Sequence, residues 1–449
     1  MTDHDSEACF IDVADLRIGH YIYLDLGWMQ HPFALNNFKI TSREQIDTIL
    51  KLGLNRIRWS PEKSDPDPAA VLSAVTDAMP KVGADGTAAA AAGPVGAREI
   101  AAAQTATAAA EEERRQRRVL LNTQRERLEA CERQFAHASR AYRMTIDAVR
   151  ANPSAARQQA EQAVSQMVGK LIEQEESAIR LLSENAGERA SLHAINVTTI
   201  SLLLGKSLGL DAAALGELGL GALLHDIGKL ALPERMRWKD ANFTSAERRL
   251  YEEHVGRGLE FARAMKLPES VQAIIAQHHE LADGRGYPAR LKGESIALPA
   301  RIVGLVNQYD TLCNPANPTQ AVTPHEAMAL IFAQMKKQFD MGVLMPFIRM
   351  MGVYPPGSVV ELVDGRFALV VSVNSARPLK PHIVIHDPRV PREEALVVDL
   401  EETPELGIRR SVKPLQLPKA AFDYLSPRSR ICYYFERARR ADADGEECA

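Results

Sequence analysis

With 449 residues the chain is long enough for two or three domains and at least one sizeable core. Its 54 lysines and arginines against 58 aspartates and glutamates leave a net charge of −4, which excludes general polyanion binding, nucleic acid polymers included, as a default activity. Hydrophobic residues at 46% and charged residues at 25% are ordinary for a globular chain, and the 6% aromatic share makes the expected core aliphatic.

The start, MTDHDSEACF, is acidic and has no basic segment ahead of an apolar core, so no signal peptide is expected and a cytoplasmic location follows by default. The longest apolar stretch, Ser201 to Leu224, is interrupted by Lys206, Asp211 and Glu217, and no membrane span is expected. Cys9, Cys131, Cys313, Cys432 and Cys448 form no close pair and are expected as reduced thiols.

Residues 8–62 carry strand-like runs in FIDVADLRIGHYIYLDLGWMQHPF and an amphipathic helix from Ser42 to Gly53, which predicts a small α+β module. Residues 63–110 change abruptly, with alanine at 13 of the 25 positions from 86 to 110. This is expected to be a linker, helical in part at most.

Residues 111–187 are expected to be charged and amphipathic helices. Glu111 to Arg150 holds ten arginines and seven acids, a solvated or coiled-coil-like helix whose basic face could receive a partner. Val164, Met167, Val168, Leu171, Ile172, Ile179 and Leu182 then recur at helical spacing. That stripe predicts one helix docking on a neighbouring domain or on a second copy of the chain.

Residues 188–350 show helical periodicity with breaks at Gly209 and Gly228 and stops at Pro233, Pro268, Pro288 and Pro324, an all-α domain. Residues 354–425 turn to β: VVELVDGRFALVVSV sets Asp364-Gly365 between β-branched runs, and HIVIH and ALVVDL add strands, a small β-module. Residues 426–449 are expected to be a charged tail. The fold class is therefore mainly α, with a small α+β module before and a small β-module after the helical domain.

Five of the twelve histidines, His193, His225, His254, His278 and His279, fall in that helical domain, with Asp226 directly after His225. Adjacent helical residues point ~100° apart, so one histidine can cap an ion while the aspartate bridges it to a second. Five imidazoles and a carboxylate suit two metals ~3.5 to 4 Å apart. Lys229, four residues after His225, is expected on the same helical face, where its ammonium would meet an anionic substrate such as a phosphate. The HHELADGRGYP run after His278 sets Gly284 and Gly286, both free to take positive φ, ahead of Pro288, a tight turn over the mouth of the site.

HDIGK at 225–229, HHELADGRGYP at 278–288 and ARIVG at 300–304 resemble the HD-GYP family of metal-dependent phosphohydrolases over roughly residues 188–345. Residues 10–60, notably LDLGWMQHPF and FKI, are similar to a module of unknown function often found ahead of such domains. The resemblance implies a helical HD-type metallophosphohydrolase domain with two divalent ions, iron or manganese, that hydrolyses cyclic di-GMP to the linear dinucleotide or GMP through a metal-bridging hydroxide. Carried over by position, it makes His193, His225 and Asp226 ligands of one ion, with Asp226 bridging, and His254, His278 and His279 ligands of the other. Lys229 would be the phosphate-contacting lysine, and Asp283, Gly284, Gly286, Tyr287 and Pro288 the substrate loop.

The chain departs from the family at three places. VNQYDTL stands where the family has an ADVFDAL-like stretch, so Asn307 takes a ligand position and a neutral amide replaces a carboxylate. Arg189, with Glu188 beside it, stands where some members have a glutamate for a third ion. CNPANPTQ at 313–320 replaces a basic stretch that contacts phosphates. An active phosphodiesterase is the first expectation. A weakened cyclic di-GMP-binding protein acting through a partner or as a homo-oligomer is the second, and a phosphohydrolase of another phosphate ester the third.

Overall fold

In the computed structural model the described residues are 10–24, 37–40, 43–50, 52, 54, 56–64, 94–174, 176–183, 189–238 and 243–438. The chain divides into two units, residues 1–99 and 100–449. In the first, strands β1 (Phe10–Asp12), β2 (Tyr21–Tyr23), β3 (Asn37–Lys39) and β4 (Arg56–Ser60) form an antiparallel sheet in the order β1-β4-β2-β3, with helix α1 (Arg43–Leu50) between β3 and β4. Strand alternation turns Ile22 inward, and it joins Ile40, Ile46, Ile49 and Ile57 in an aliphatic core. Most of LDLGWMQHPF lies outside the described residues.

Helix α2 (Pro94–Ala148) follows, and from Ile100 onward it belongs to the second unit. Its start at Pro94 falls within the expected linker, whose last 17 residues are the helical part. Alanine is the strongest helix former, and no glycine or proline interrupts the chain between Gly96 and Pro153. Residues 65–93 lie outside the described residues. Asn152 then caps α3 (Pro153–Glu173), its side chain accepting from Ala155 N at 3.1 Å.

Val164, Met167, Val168 and Leu171 on α3 are buried against helix α5 (Ala212–Leu224) of the same chain, each contributing about 1.5–3 kcal/mol. The stripe expected to run on to Leu182 as one helix stops at Glu173. Ile179 lies instead in strand β5 (Ser177–Leu181), with Leu182 buried just after it. Spacing by itself does not separate the two states, and pairing with distant strands decided this one.

The helical core comprises α4 (Arg189–Ser207), α5, α6 (Ser245–Ala264), α7 (Glu269–Gln277), α8 (Leu298–Cys313), α9 (Pro324–Gln334) and α10 (Met341–Met351). Helix α4 is buried almost all round between α5 and α8. It ends before Gly209, whose φ of +81° suits glycine. Asp211 caps α5, and a Thr244–Glu247 capping box opens α6.

Strands β6 (Val359–Leu362) and β7 (Phe367–Asn374) form the expected hairpin around Gly365, with φ +84°. Strands β8 (His382–Ile385), β9 (Val397–Asp399), β10 (Ile408–Val412) and β11 (Tyr433–Arg437), with helix α11 (Lys419–Leu425), follow. The sheet runs β10-β6-β7-β5-β11, and β8 pairs with both β7 and β9. Two boundaries are corrected here: β5 enters the sheet from the segment expected to be helical, and β11 comes from the expected charged tail. Tyr433, Tyr434 and Phe435 are buried, because an aromatic run between charged neighbours still loses more by exposure than its flanks gain. Among the described residues, no helix is long and apolar enough to cross a membrane.

Candidate metal centre

Helix α5 is apolar to its end at Leu224; His225 caps it, and the chain tightens into a 3-10 turn over Ile227–Ala231. The shared helical face expected for His225 and Lys229 is therefore absent. Lys229 instead donates to Asp226 Oδ2 at 2.5 Å, with its ammonium 5.3 Å from the Tyr251 ring centroid. Gly228 makes this turn fit: a Cβ there would lie 1.8 Å from His254 O and 2.4 Å from Gly258 N. Only glycine lets the turn press on α6 closely enough to bring His254 to Asp226.

His193 comes from α4, His254 from α6, and His278 with His279 from the end of α7. The Nδ1 atoms of His225, His254 and His278 lie 2.7, 2.5 and 2.8 Å from the carbonyl oxygens of Ala222, Tyr251 and Ile275. A carbonyl only accepts, so Nδ1 carries the proton and each Nε2 keeps a free lone pair. His193 Nδ1 likewise donates to Asp310 Oδ2 at 2.6 Å.

These lone pairs converge on Asp226. Its Oδ2 is 3.3 Å from His225 Nε2 and 3.5 Å from His193 Nε2, and its Oδ1 is 3.6 Å from His254 Nε2 and 3.8 Å from His278 Nε2. Two groups able to hold a cation result, His193–His225–Asp226 and Asp226–His254–His278–His279, with the ligand atoms of each within 4.8 Å of one another. Asp226 Oδ1 and the Nε2 atoms of His254, His278 and His279 are buried without a hydrogen-bond partner. Each such orphan costs about 1–3 kcal/mol. Four buried acceptors aimed at one point fit a divalent cation, as do the Nε2 atoms of His193 and His225, only 3.3 Å apart.

The charges agree. Burial, with Lys229 nearby, pushes the His254 imidazole down to about 4, against the partial pull of Asp226. Burial and neighbouring imidazoles hold His278 and His279 well below the usual histidine range. For Asp226 burial opposes ionisation, but the Lys229 ammonium and the His225 and His254 imidazoles outweigh it and hold the carboxyl well below its ordinary value. Burial would lower Lys229, yet the Asp226 carboxylate raises it. Neutral imidazoles around an anionic carboxylate are the protonation states that metal ligation requires.

The expected substrate loop lies beside the second group. The Tyr287 ring stacks on His279 with centroids 4.6 Å apart. Gly284 has φ +77°, but Gly286 does not take positive φ. Its Cβ would lie 2.3 Å from Leu281 N, so close approach and not backbone freedom requires glycine there. Asp283 shapes the turn by accepting from Arg285 N at 3.0 Å, and Pro288 is exposed at its exit. Buried Glu280 straps the loop, accepting from Ala289 N at 2.6 Å and Leu291 N at 2.9 Å.

On α8, Asn307 is buried and its Oδ1 accepts from Thr311 Oγ1 at 3.5 Å. One turn on, Asp310 is fully buried and supports His193. Glu188 lies outside the described residues. Sequence reasoning missed Glu280, although it follows the histidine pair directly. It also missed Asn196, three residues after His193, and Asn314, four after Asp310; those intervals mark shared helical faces and were the available signal.

Residues 148–343 match a family model described as HD domain, and residues 9–160 match a domain of unknown function, DUF3391. The chain is 30% identical over 213 residues to the cyclic di-GMP phosphodiesterase PA4108 of Pseudomonas aeruginosa, covering 46% of this chain and 50% of that protein. It is 27% identical over 192 residues to the cyclic di-GMP phosphodiesterase PdeB of Borreliella burgdorferi, covering 43% and 51%. It is also 31% identical over 119 residues to a 3'3'-cGAMP-specific phosphodiesterase 2 of Vibrio cholerae, covering 26% and 23%. The chain thus spans about half the length, or less, of these relatives. It carries an HD domain, the mark of a metal-dependent phosphohydrolase family. The HD domain match takes in all five clustered histidines and Asp226, and the DUF3391 match begins ahead of it.

Proposed function

We propose that the protein is a metal-dependent phosphodiesterase that hydrolyses cyclic di-GMP to the linear dinucleotide or GMP. The two ligand groups that share Asp226, with their orphaned Nε2 atoms, carry this assignment, and the similarity to cyclic di-GMP phosphodiesterases supports the choice of substrate. His193, His225, Asp226 and Asn307 would hold one ion, and Asp226, His254, His278 and His279 the second, iron or manganese in each case. Bound there, such ions supply an activated water and neutralise charge building on the phosphoryl oxygens.

The remaining work falls to the chain. Backbone carbonyls hold the Nδ1 protons of His225, His254 and His278, and Asp310 holds that of His193, which keeps these Nε2 atoms aimed inward. Lys229 keeps Asp226 anionic, and its side chain, 18% exposed, is placed to contact a phosphate oxygen and to protonate the leaving oxygen. Tyr287 and the Glu280 strap hold the loop over the second group and restrict water. The neutral Asn307 makes the His193 ion the weaker of the two and lowers turnover.

Asn307 and the CNPANPTQ segment also support a second reading, a slow enzyme that retains nucleotide and signals through a protein partner or a second copy. Turnover of the full chain, loaded with manganese or iron, on cyclic di-GMP and on 3'3'-cGAMP separates the readings. Hydrolysis of cyclic di-GMP that is lost in Asp226→Ala supports the proposal. Binding without turnover moves it to the regulatory reading, and turnover of 3'3'-cGAMP alone changes the substrate.

A further inference from the structure

We propose that the C-terminal strand sets the geometry of the metal centre: Asn196 and Asn314, clamped by the main chain of Ile431 and Tyr433, are positioning residues that hold Asp310 against His193. The inference rests on the metal-centre assignment above. It concerns residues that touch none of the six histidine and aspartate ligand side chains except through Asp310.

Asp310 has no exposed surface. Its Oδ2 accepts from His193 Nδ1 at 2.6 Å, and its Oδ1 accepts from Asn196 Nδ2 at 2.7 Å and Asn314 Nδ2 at 2.9 Å. Both amides reach in turn to one stretch of backbone. Asn196 Nδ2 and Asn314 Nδ2 donate to Ile431 O at 2.8 and 2.9 Å. Ile431 N donates to Asn314 Oδ1 at 2.8 Å, and Tyr433 N donates to Asn196 Oδ1 at 2.8 Å.

Each amide group thus spends one N–H on Asp310 and the other on Ile431, while its oxygen takes a main-chain N–H. Turning either amide over would set its oxygen against the Asp310 carboxylate and the Ile431 carbonyl, so the orientation has one solution. Ile431 leads into β11, which is locked to β5. The sequence gap between Asn196 and Ile431 is 235 residues, so the support for His193 comes from the far end of the chain. Losing an outer partner of a ligating histidine typically costs about 10–100-fold in metal affinity. A network serving the core alone would cost stability and leave affinity untouched.

The full chain is titrated with Mn(II), and the bound ion is read by its electron paramagnetic resonance signal. Asn314→Asp keeps the size of the side chain and the oxygen that meets Ile431 N, but replaces the N–H facing Asp310 with an oxygen. It is expected to weaken one of two Mn(II) sites about 10–100-fold and to change its signal. Ser372→Ala removes a buried hydroxyl that donates to Glu436 at 3.0 Å in the same sheet, away from Asp310. That variant is expected to lower the Tm and leave both sites unchanged. A folded Asn314→Asp protein with native Mn(II) affinity and signal overturns the inference, as does Ser372→Ala weakening Mn(II) equally. Should Asn314→Asp not fold, Asn314→Ser is read the same way. A native chain that binds no Mn(II) overturns the metal-centre assignment instead.

Discussion

The two halves of the candidate centre are built differently. His254 and His278 are each aimed by a carbonyl three residues back on their own helix, so their geometry is set locally. His193 is aimed by Asp310, 117 residues away in sequence, which depends on two asparagines and a strand near the C-terminus. His225, between them, uses its own helix. A locally built half should keep its shape under perturbation elsewhere. The half assembled over long range, to which Asn307 is assigned in the proposal above, should be the one that loses its ion first.

Asp226→Ala removes the group common to both halves and is expected to give the largest effect. Metal content by elemental analysis should fall from two ions toward none, and full retention would remove the bridging role. Replacing one histidine in each half sharpens the contrast. His278→Gln should release one ion and abolish turnover, while His193→Gln should release only the other ion, which the Asn307 proposal makes substoichiometric in the native protein. Equal occupancies in the native protein would erase the asymmetry.

Asn307→Asp tests the same asymmetry from the other side. An added charge beside the ion should raise affinity about tenfold or more and turnover with it. A rise in metal content without turnover would locate the lesion in the missing phosphate clamp. If neither changes, Asn307 does not face the ion.

The second half also predicts a pH effect in chelator-treated protein. His254 has its folded value lowered from 6.5 to about 4, and burial lowers His278 and His279 as well. Above about pH 6.5 these groups are neutral in both folded and unfolded chains and oppose nothing. As pH falls from there toward 4 the unfolded chain takes up protons that the folded one refuses, and stability drops, by about 3 kcal/mol for His254 alone. Thermal melts of the metal-free protein across that range check it, and a flat profile would refute the neutral-imidazole account. The smallest change is expected from Glu280→Gln, which weakens one strap on the substrate loop by about 1 kcal/mol. It should raise KM for the dinucleotide and leave metal content unchanged.

The legibility of the chain divides along the same line of range. The Asp364-Gly365 hairpin, the glycine and proline stops of the helical domain and the histidines and aspartate of HDIGK and HHELADGRGYP that gather in the candidate centre were all readable, because turn chemistry and short ordered spacings act within a few residues. The helical part of the linker was readable from the alanine run, but its start at Pro94 was not, because Gly93 and Gly96 flank it. The strand at Ser177–Leu181, the burial of Tyr433 to Phe435, the ion pair of Lys229 with Asp226 and the Asn196–Asp310–Asn314 network were not readable. Each depends on a partner tens to hundreds of residues away or on a helix ending one residue early. Local sequence therefore determined which residues are candidates for the chemistry and where the hairpin and helix ends lie. Only the tertiary structure decided that these imidazoles meet at Asp226 and that Asp310 holds His193, since contacts between distant segments leave no periodic trace in a sequence.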